Sequence, residues 1–177
     1  QNFGRISSVV QVSAAYGPTA VEFVVPCTVT VANSEAICTT APGIGNDHPW
    51  SLTVAGQTSM PSADRTSYLA PFLDLTLPIT GPGGRNGSTQ GAQPVFTLGD
   101  NFGPLVLPDS IRSEYIVTYG ATGVEYTAEG CEQVPGAGNT ALQCTTAPGV
   151  GAGLRWRVQV SSPSGIVGDA ALRQTTS

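Results

Sequence analysis

The amino-acid sequence predicts an all-β chain built from two β-sandwich repeats in tandem. Three observations predict it. Short sequence blocks recur in the same order at a spacing of about 100 residues, the signature of a repeated structural unit. Glycine (22) and proline (14) together make up a fifth of the 177 residues, which favours many turns over long helices. Short β-branched and aromatic runs, interleaved with Thr and Ser, carry a two-residue period, and no stretch sustains a helical one.

The repeat is read from five matched blocks. Cys38-Thr39-Thr40-Ala41-Pro42-Gly43 returns as Cys144-Thr145-Thr146-Ala147-Pro148-Gly149, with a further glycine, Gly45 or Gly151, two positions on. Trp50 and Trp156 stand at the same offset. Upstream, Tyr16-Gly17 followed by Val21-Glu22-Phe23 matches Tyr119-Gly120 followed by Val124-Glu125-Tyr126, and Asn2-Phe3-Gly4 matches Asn101-Phe102-Gly103. The offset drifts slowly, as small loop insertions between strands produce. The second copy carries residues 70–100 ahead of its Asn-Phe-Gly block, whereas the first has only Gln1 there. The first copy is therefore expected to lack its opening strand. The tail Arg173-Gln174-Thr175-Thr176-Ser177 resembles Asp64-Arg65-Thr66-Ser67, so both ends read as cuts through a longer array. The domains are drawn at 1–68 and 69–177.

In chain order, residues 9–14 alternate in part and end at the turn signal Tyr16-Gly17-Pro18. Residues 21–25 are a β-branched and aromatic run. Residues 28–32 alternate Thr with Val, as a strand with one buried face does. Pro42-Gly43-Ile44-Gly45 is a turn, and residues 50–55 form the closing strand. In the second copy, strands are expected over 95–98, 115–119, 124–127, 141–145 and 154–161, and residues 77–94 form a long polar loop.

The cysteines fall into two local pairs, Cys27 with Cys38 and Cys131 with Cys144. Neither has C-x-x-C spacing, and a single histidine cannot complete a zinc site. Two disulfides are the preferred reading over four reduced core thiols. Each closes a loop worth about 3 kcal/mol in the chain-entropy model, and an oxidising, extracellular compartment follows. The net charge is −5, and all seven basic residues are arginine. Phosphate binding needs a basic surface, so nucleic acid is not an expected partner. No apolar run approaches a membrane span.

Candidate sites are few. His48, in Asn46-Asp47-His48-Pro49, reads as an exposed loop residue, because adjacent turn residues rarely reach triad geometry and the second copy has Ala152-Gly153-Leu154 there. Glu129 and Glu132 flank Cys131 where the first copy has Val25 and Thr28, so a solvated strand end is expected rather than a glycosidase pair. Gly149-Val150-Gly151-Ala152-Gly153 and residues 81–87 are turns, since a phosphate loop needs the lysine this chain lacks. Trp50 and Trp156 are expected as partly buried anchors, with Arg155 and Arg157 on the opposite strand face. Asn86-Gly87-Ser88 is an N-glycosylation sequon in a polar loop. No catalytic residue, metal site or cofactor is expected, and the chain is not expected to be an enzyme.

The block Gly99-Asp100-Asn101-Phe102-Gly103, the Tyr-Gly step, the first cysteine, and C-T-T-A-P-G-x-G leading into a V-x-V strand together resemble the IPT/TIG family. These are immunoglobulin-like domains of plexins, receptor ectodomains, cell-surface proteins and some transcription factors. The resemblance implies two tandem immunoglobulin-like sandwiches, cysteine pairs at Cys27/Cys38 and Cys131/Cys144, and a spacer or binding role without catalytic residues. The expected function is a structural module of an extracellular fibril or long cell-surface glycoprotein. Its partners would be copies of itself or further repeats, joined end to end, and covalent glycans. The alternative is a receptor or adhesin ectodomain that binds a protein or glycan.

Overall fold

The structure, a computed structural model, describes residues 11–74, 76–105, 112–162 and 167–174. Among them every regular element is a strand, and all strand pairing is antiparallel. The Asn2-Phe3-Gly4 block, the start of the first expected strand and the last three residues lie outside the described residues.

The first repeat holds β1 (Val12–Tyr16), β2 (Phe23–Val31), β3 (Glu35–Cys38), β4 (His48–Val54), β5 (Gln57–Thr58) and β6 (Arg65–Thr66). They form one sheet in the order β3-β2-β1-β4-β5, with β6 also on β4. The expected strands at 21–25 and 28–32 merge into β2, because Pro26 and Cys27 continue the extended run. The strand that enters the Cys-Thr-Thr-Ala-Pro-Gly block is Glu35–Cys38, which the alternation at 28–32 does not announce.

The second repeat holds β7 (Phe72–Leu73), β8 (Pro94–Asp100), β9 (Glu114–Gly120), β10 (Tyr126–Thr127), β11 (Glu129–Gln133), β12 (Ala141–Thr145), β13 (Arg155–Ser161) and β14 (Val167–Gln174). They form two four-stranded sheets, β10-β9-β13-β14 and β11-β12-β8-β7. Alternation along β13 buries Trp156, Val158 and Val160 against one layer, and Val95, Thr97, Leu142 and Cys144 face it from the other.

The two repeats share one chain path. β1 corresponds to β9, β2 to β10 and β11, β3 to β12, and β4 to β13. In the second repeat the long strand breaks at Ala128, so β10 pairs in one sheet and β11 in the other. In the first it stays whole: Cys27 pairs with Val12 on one side and Cys38 on the other. β6 lies along β4 as β14 lies along β13. Among the described residues the first repeat has no counterpart of β7 and β8. Its strands all belong to the one sheet. The two repeats touch where Ile44 lies against the Gly103 backbone.

Candidate functional site

The repeated blocks meet in space, and their meeting explains the spacing. Tyr16 stands opposite Trp50 in the β1–β4 ladder, and Tyr119 opposite Trp156 in the β9–β13 ladder. Each pair stacks, with ring centroids 4.3 and 4.4 Å apart. Such a pair adds roughly 0.5–1.5 kcal/mol beyond area burial. The Tyr119 hydroxyl donates to the Ala147 carbonyl at 2.9 Å, and Tyr16 Oη accepts from Ala41 N–H at 2.8 Å. The Tyr-Gly step thus holds the Thr-Thr-Ala-Pro-Gly turn. Gly43 and Gly149 are needed because aromatic rings lie over them. A Cβ on Gly149 would sit 2.8 Å from Tyr126 Cε1, and one on Gly43 2.7 Å from Phe23 Cε1.

The glutamate of Val-Glu-Phe/Tyr caps the preceding turn. Glu125 accepts from Thr122 N–H at 2.8 Å, the Thr122 hydroxyl at 2.7 Å, and Gly123 and Val124 N–H at 3.2 Å each. Glu22 accepts from Thr19 and Val21 N–H at 3.2 Å in the same way. The Thr122 hydroxyl is the largest cause that brings the Glu125 carboxyl down to about 2, with the backbone donors adding to it. Partial burial pulls the Glu22 carboxyl up, but the bonds from Thr19, Val21 and its own backbone outweigh burial and hold it below the ordinary value. Gly17 and Gly120 turn the chain at φ +132° and +143°, and a Cβ at either would run into the capping carboxylate. The matched Glu was visible in the repeat, but its capping role was not.

The disulfides Cys27–Cys38 and Cys131–Cys144 are formed, tying β2 to β3 and β11 to β12. Asn86 is exposed in the loop that follows residue 81, at φ +51°. Glu129 and Glu132 are exposed, and Arg155 and Arg157 lie on the opposite face of β13 from Trp156.

His48 departs from expectation. It is 1% exposed, at the start of β4, among the rings of Tyr16, Phe23 and Tyr68. Its Nε2 lies 3.0 Å from the Ile44 carbonyl oxygen, and Nδ1 has no hydrogen-bond partner. The matched residue, Leu154, also packs on the core, so position 48 is a core position rather than a loop tip. Tyr68, which the sequence did not single out, caps the same cluster. Its hydroxyl donates to the Ala41 carbonyl at 2.6 Å and sits 2.6 Å from Tyr16 Oη. Burial, then the Tyr16 hydroxyl, push its pKa up. Among the described residues no group of His, Cys, Asp or Glu is placed to hold a metal ion.

Among the described residues β12 has a strand on each side, whereas β3 pairs on one side. In the second repeat, β8 runs along β12 from Ala141↔Leu98 to Thr145↔Pro94. The pairing continues past the strand: Thr146 N–H donates to the Gln93 carbonyl at 2.9 Å, Ala92 N–H to the Thr146 carbonyl at 2.7 Å, and Gly149 N–H to the Thr89 carbonyl at 3.0 Å. Leu142 and Cys144 are sealed beneath. In the first, β2 is the one strand that pairs with β3 among the described residues, and the matched Ala36 and Cys38 are only half-buried. Ile37 is 60% exposed and Thr39 and Thr40 are exposed.

Comparison of the chain with family models, curated proteins and solved structures returns no match. The reading of function therefore stands on the geometry above.

Proposed function

We propose that this chain is a structural segment of an extracellular fibril or long cell-surface glycoprotein, built from tandem IPT/TIG-like repeats that assemble end to end. The observation that carries the reading is the repeat itself. The same Tyr–Trp stack, capping glutamate and disulfide recur in both units, as the units of a tandem array do. Three features support it. The repeat-defining residues are spent on stacking, capping and cross-linking rather than on a cluster for chemistry. The two disulfides fit an oxidising environment. The exposed sequon at Asn86, with only 11% charged residues overall, fits a glycan coat as the source of solubility. No helix among the described residues is long and apolar enough to cross a membrane.

Electron microscopy of the native material tests the reading. Filaments with an axial repeat commensurate with these domains are expected. A monodisperse globular species at every concentration rejects it.

A further inference from the structure

We infer that His48 is a latch that sets the joint between the two repeats. Its Nε2–H holds the Ile44 carbonyl, and so keeps Ile44 seated on the second repeat. It does the work that a phenol hydroxyl does at the matched turn of the second repeat. The inference concerns how the repeats are fixed to one another within the chain, and it does not rest on the fibril reading.

Two linked exchanges between the repeats point to it. Phe23 stands where the second repeat has Tyr126, and His48 where it has Leu154. Both differences fall on one turn, Gly43-Ile44-Gly45 in the first repeat and Gly149-Val150-Gly151 in the second. In the second repeat the Tyr126 hydroxyl donates to the Val150 carbonyl at 3.1 Å and accepts from the Val150 N–H at 3.2 Å. Phe23 has no hydroxyl to offer, although its ring lies over Gly43 as Tyr126 lies over Gly149. The donor comes instead from the other exchanged position, where His48 Nε2 lies 3.0 Å from the Ile44 carbonyl oxygen. Where the phenol is present, the matched residue is a leucine, whose side chain has no donor. Where the phenol is absent, the matched residue is the one histidine of the chain.

The protonation of the ring follows from its partner. A carbonyl oxygen only accepts, so the proton sits on Nε2 and Nδ1 is bare. Nδ1 is buried without a partner, among the rings of Tyr16, Phe23 and Tyr68. A buried acceptor left unpaired is costly, and the leucine of the second repeat would fill the core without that cost. The bond from Nε2–H is what the histidine supplies in return.

The held turn is where the first repeat touches the second. Ile44 is buried, and a Cβ on Gly103 would sit 2.6 Å from its Cγ2. The isoleucine thus rests on bare backbone, at a residue whose φ of +88° also suits glycine. Gly103 is fixed from its own repeat, since Gln133 Nε2 donates to its carbonyl at 2.6 Å. On the other side, Tyr68 N–H donates to the Gly45 carbonyl at 2.9 Å. Releasing the Ile44 carbonyl would therefore free the residue that bears on the second repeat.

The first test leaves the protein unaltered. In the intact, disulfide-bonded chain labelled with 15N-histidine, nuclear magnetic resonance should show the Nε2–H tautomer with a slowly exchanging ring proton. The Nδ1–H tautomer, or a ring proton that exchanges as fast as in free imidazole, overturns the latch. The second test exchanges the two solutions. His48→Leu should quicken amide exchange at Tyr68, which reports on the turn through Gly45, by about tenfold. Residual dipolar couplings of the two repeats should fit one alignment tensor in the parent and need two in His48→Leu. Adding Phe23→Tyr to His48→Leu recreates the pairing of the second repeat and should restore both readouts. Two tensors in the parent, one tensor retained in His48→Leu, or a double variant that behaves like the single one overturns the inference. If His48→Leu fails to fold, judged by circular dichroism and intact disulfides, the double variant decides. A folded double variant with one tensor supports the latch, and an unfolded one overturns it. Filaments enter none of these readouts, so a chain that never forms them ends the fibril reading and leaves the latch standing.

Discussion

Glu125 and Glu22 each gather turn amides and a threonine hydroxyl on one carboxylate, and this sets a pH dependence. A depressed folded-state pKa contributes stability that is present above the unfolded value and is lost as pH falls towards the folded one. For Glu125 that window runs from about 4.5 down to about 2. Glu125→Gln should therefore melt below the parent at neutral pH, and the gap should close across that window. A constant gap from neutral to acid pH would show that the cap acts through shape rather than charge. Thr97 is a second residue with a definite expectation. It is fully buried in β8, and its Oγ1 has no hydrogen-bond partner. A buried hydroxyl left unsatisfied costs about 1–3 kcal/mol. Thr97→Val, nearly the same shape, should raise unfolding stability by about 1 kcal/mol in a urea titration. A loss of stability would mean that the hydroxyl is satisfied after all.

At the scale of elements, the Thr-Thr-Ala-Pro-Gly turn is held by three neighbours from distant sequence. A tyrosine hydroxyl binds its alanine, an aromatic ring lies over its glycine, and a disulfide ties the strand that leads into it. Gly149→Ala pushes a methyl into the Tyr126 ring and should cost about 1–3 kcal/mol, the usual range for overpacking. In a double-mutant cycle Tyr126→Ala should relieve much of that cost, because the clash partner is gone. Additive effects would place the strain in the backbone instead. The break of the long strand at Ala128 is the other element-level decision. It sends β10 and β11 to different sheets and so creates the two-layer core of the second repeat, while β2 stays whole and pairs β1 and β3 within one sheet.

For the whole molecule, the buried residues of both repeats belong to one cluster, and Ile44 of the first lies against Gly103 of the second. That continuity favours a stiff connection over a free linker, as an end-to-end array would need. The glycan belongs at this scale too. If the sequon is used, the native protein loses mass on enzymatic deglycosylation at Asn86, and Asn86→Gln expressed in a secreting host runs at the deglycosylated size. An unchanged mass in the native material rejects the glycan there.

The sequence alone determined the all-β class, the two cysteine pairs and the repeat. These are legible because two-residue alternation, local cysteine spacing and self-similarity are properties of the chain itself. It also placed Trp50 as a partly buried anchor and Arg155 and Arg157 on the face opposite Trp156, since strand alternation decides which face a side chain takes, while Trp156 is more deeply buried than expected. Tertiary structure alone decided the fate of His48, which its turn-like neighbours Asn46 and Asp47 disguise as a surface residue while its repeat partner Leu154 packs on the core. It also decided that β3 starts at Glu35 and that β8 lies along β12, because such pairing joins segments far apart in the chain. A strand's own residues carry its alternation, but whether a neighbour lies along its edge depends on what the rest of the fold brings there.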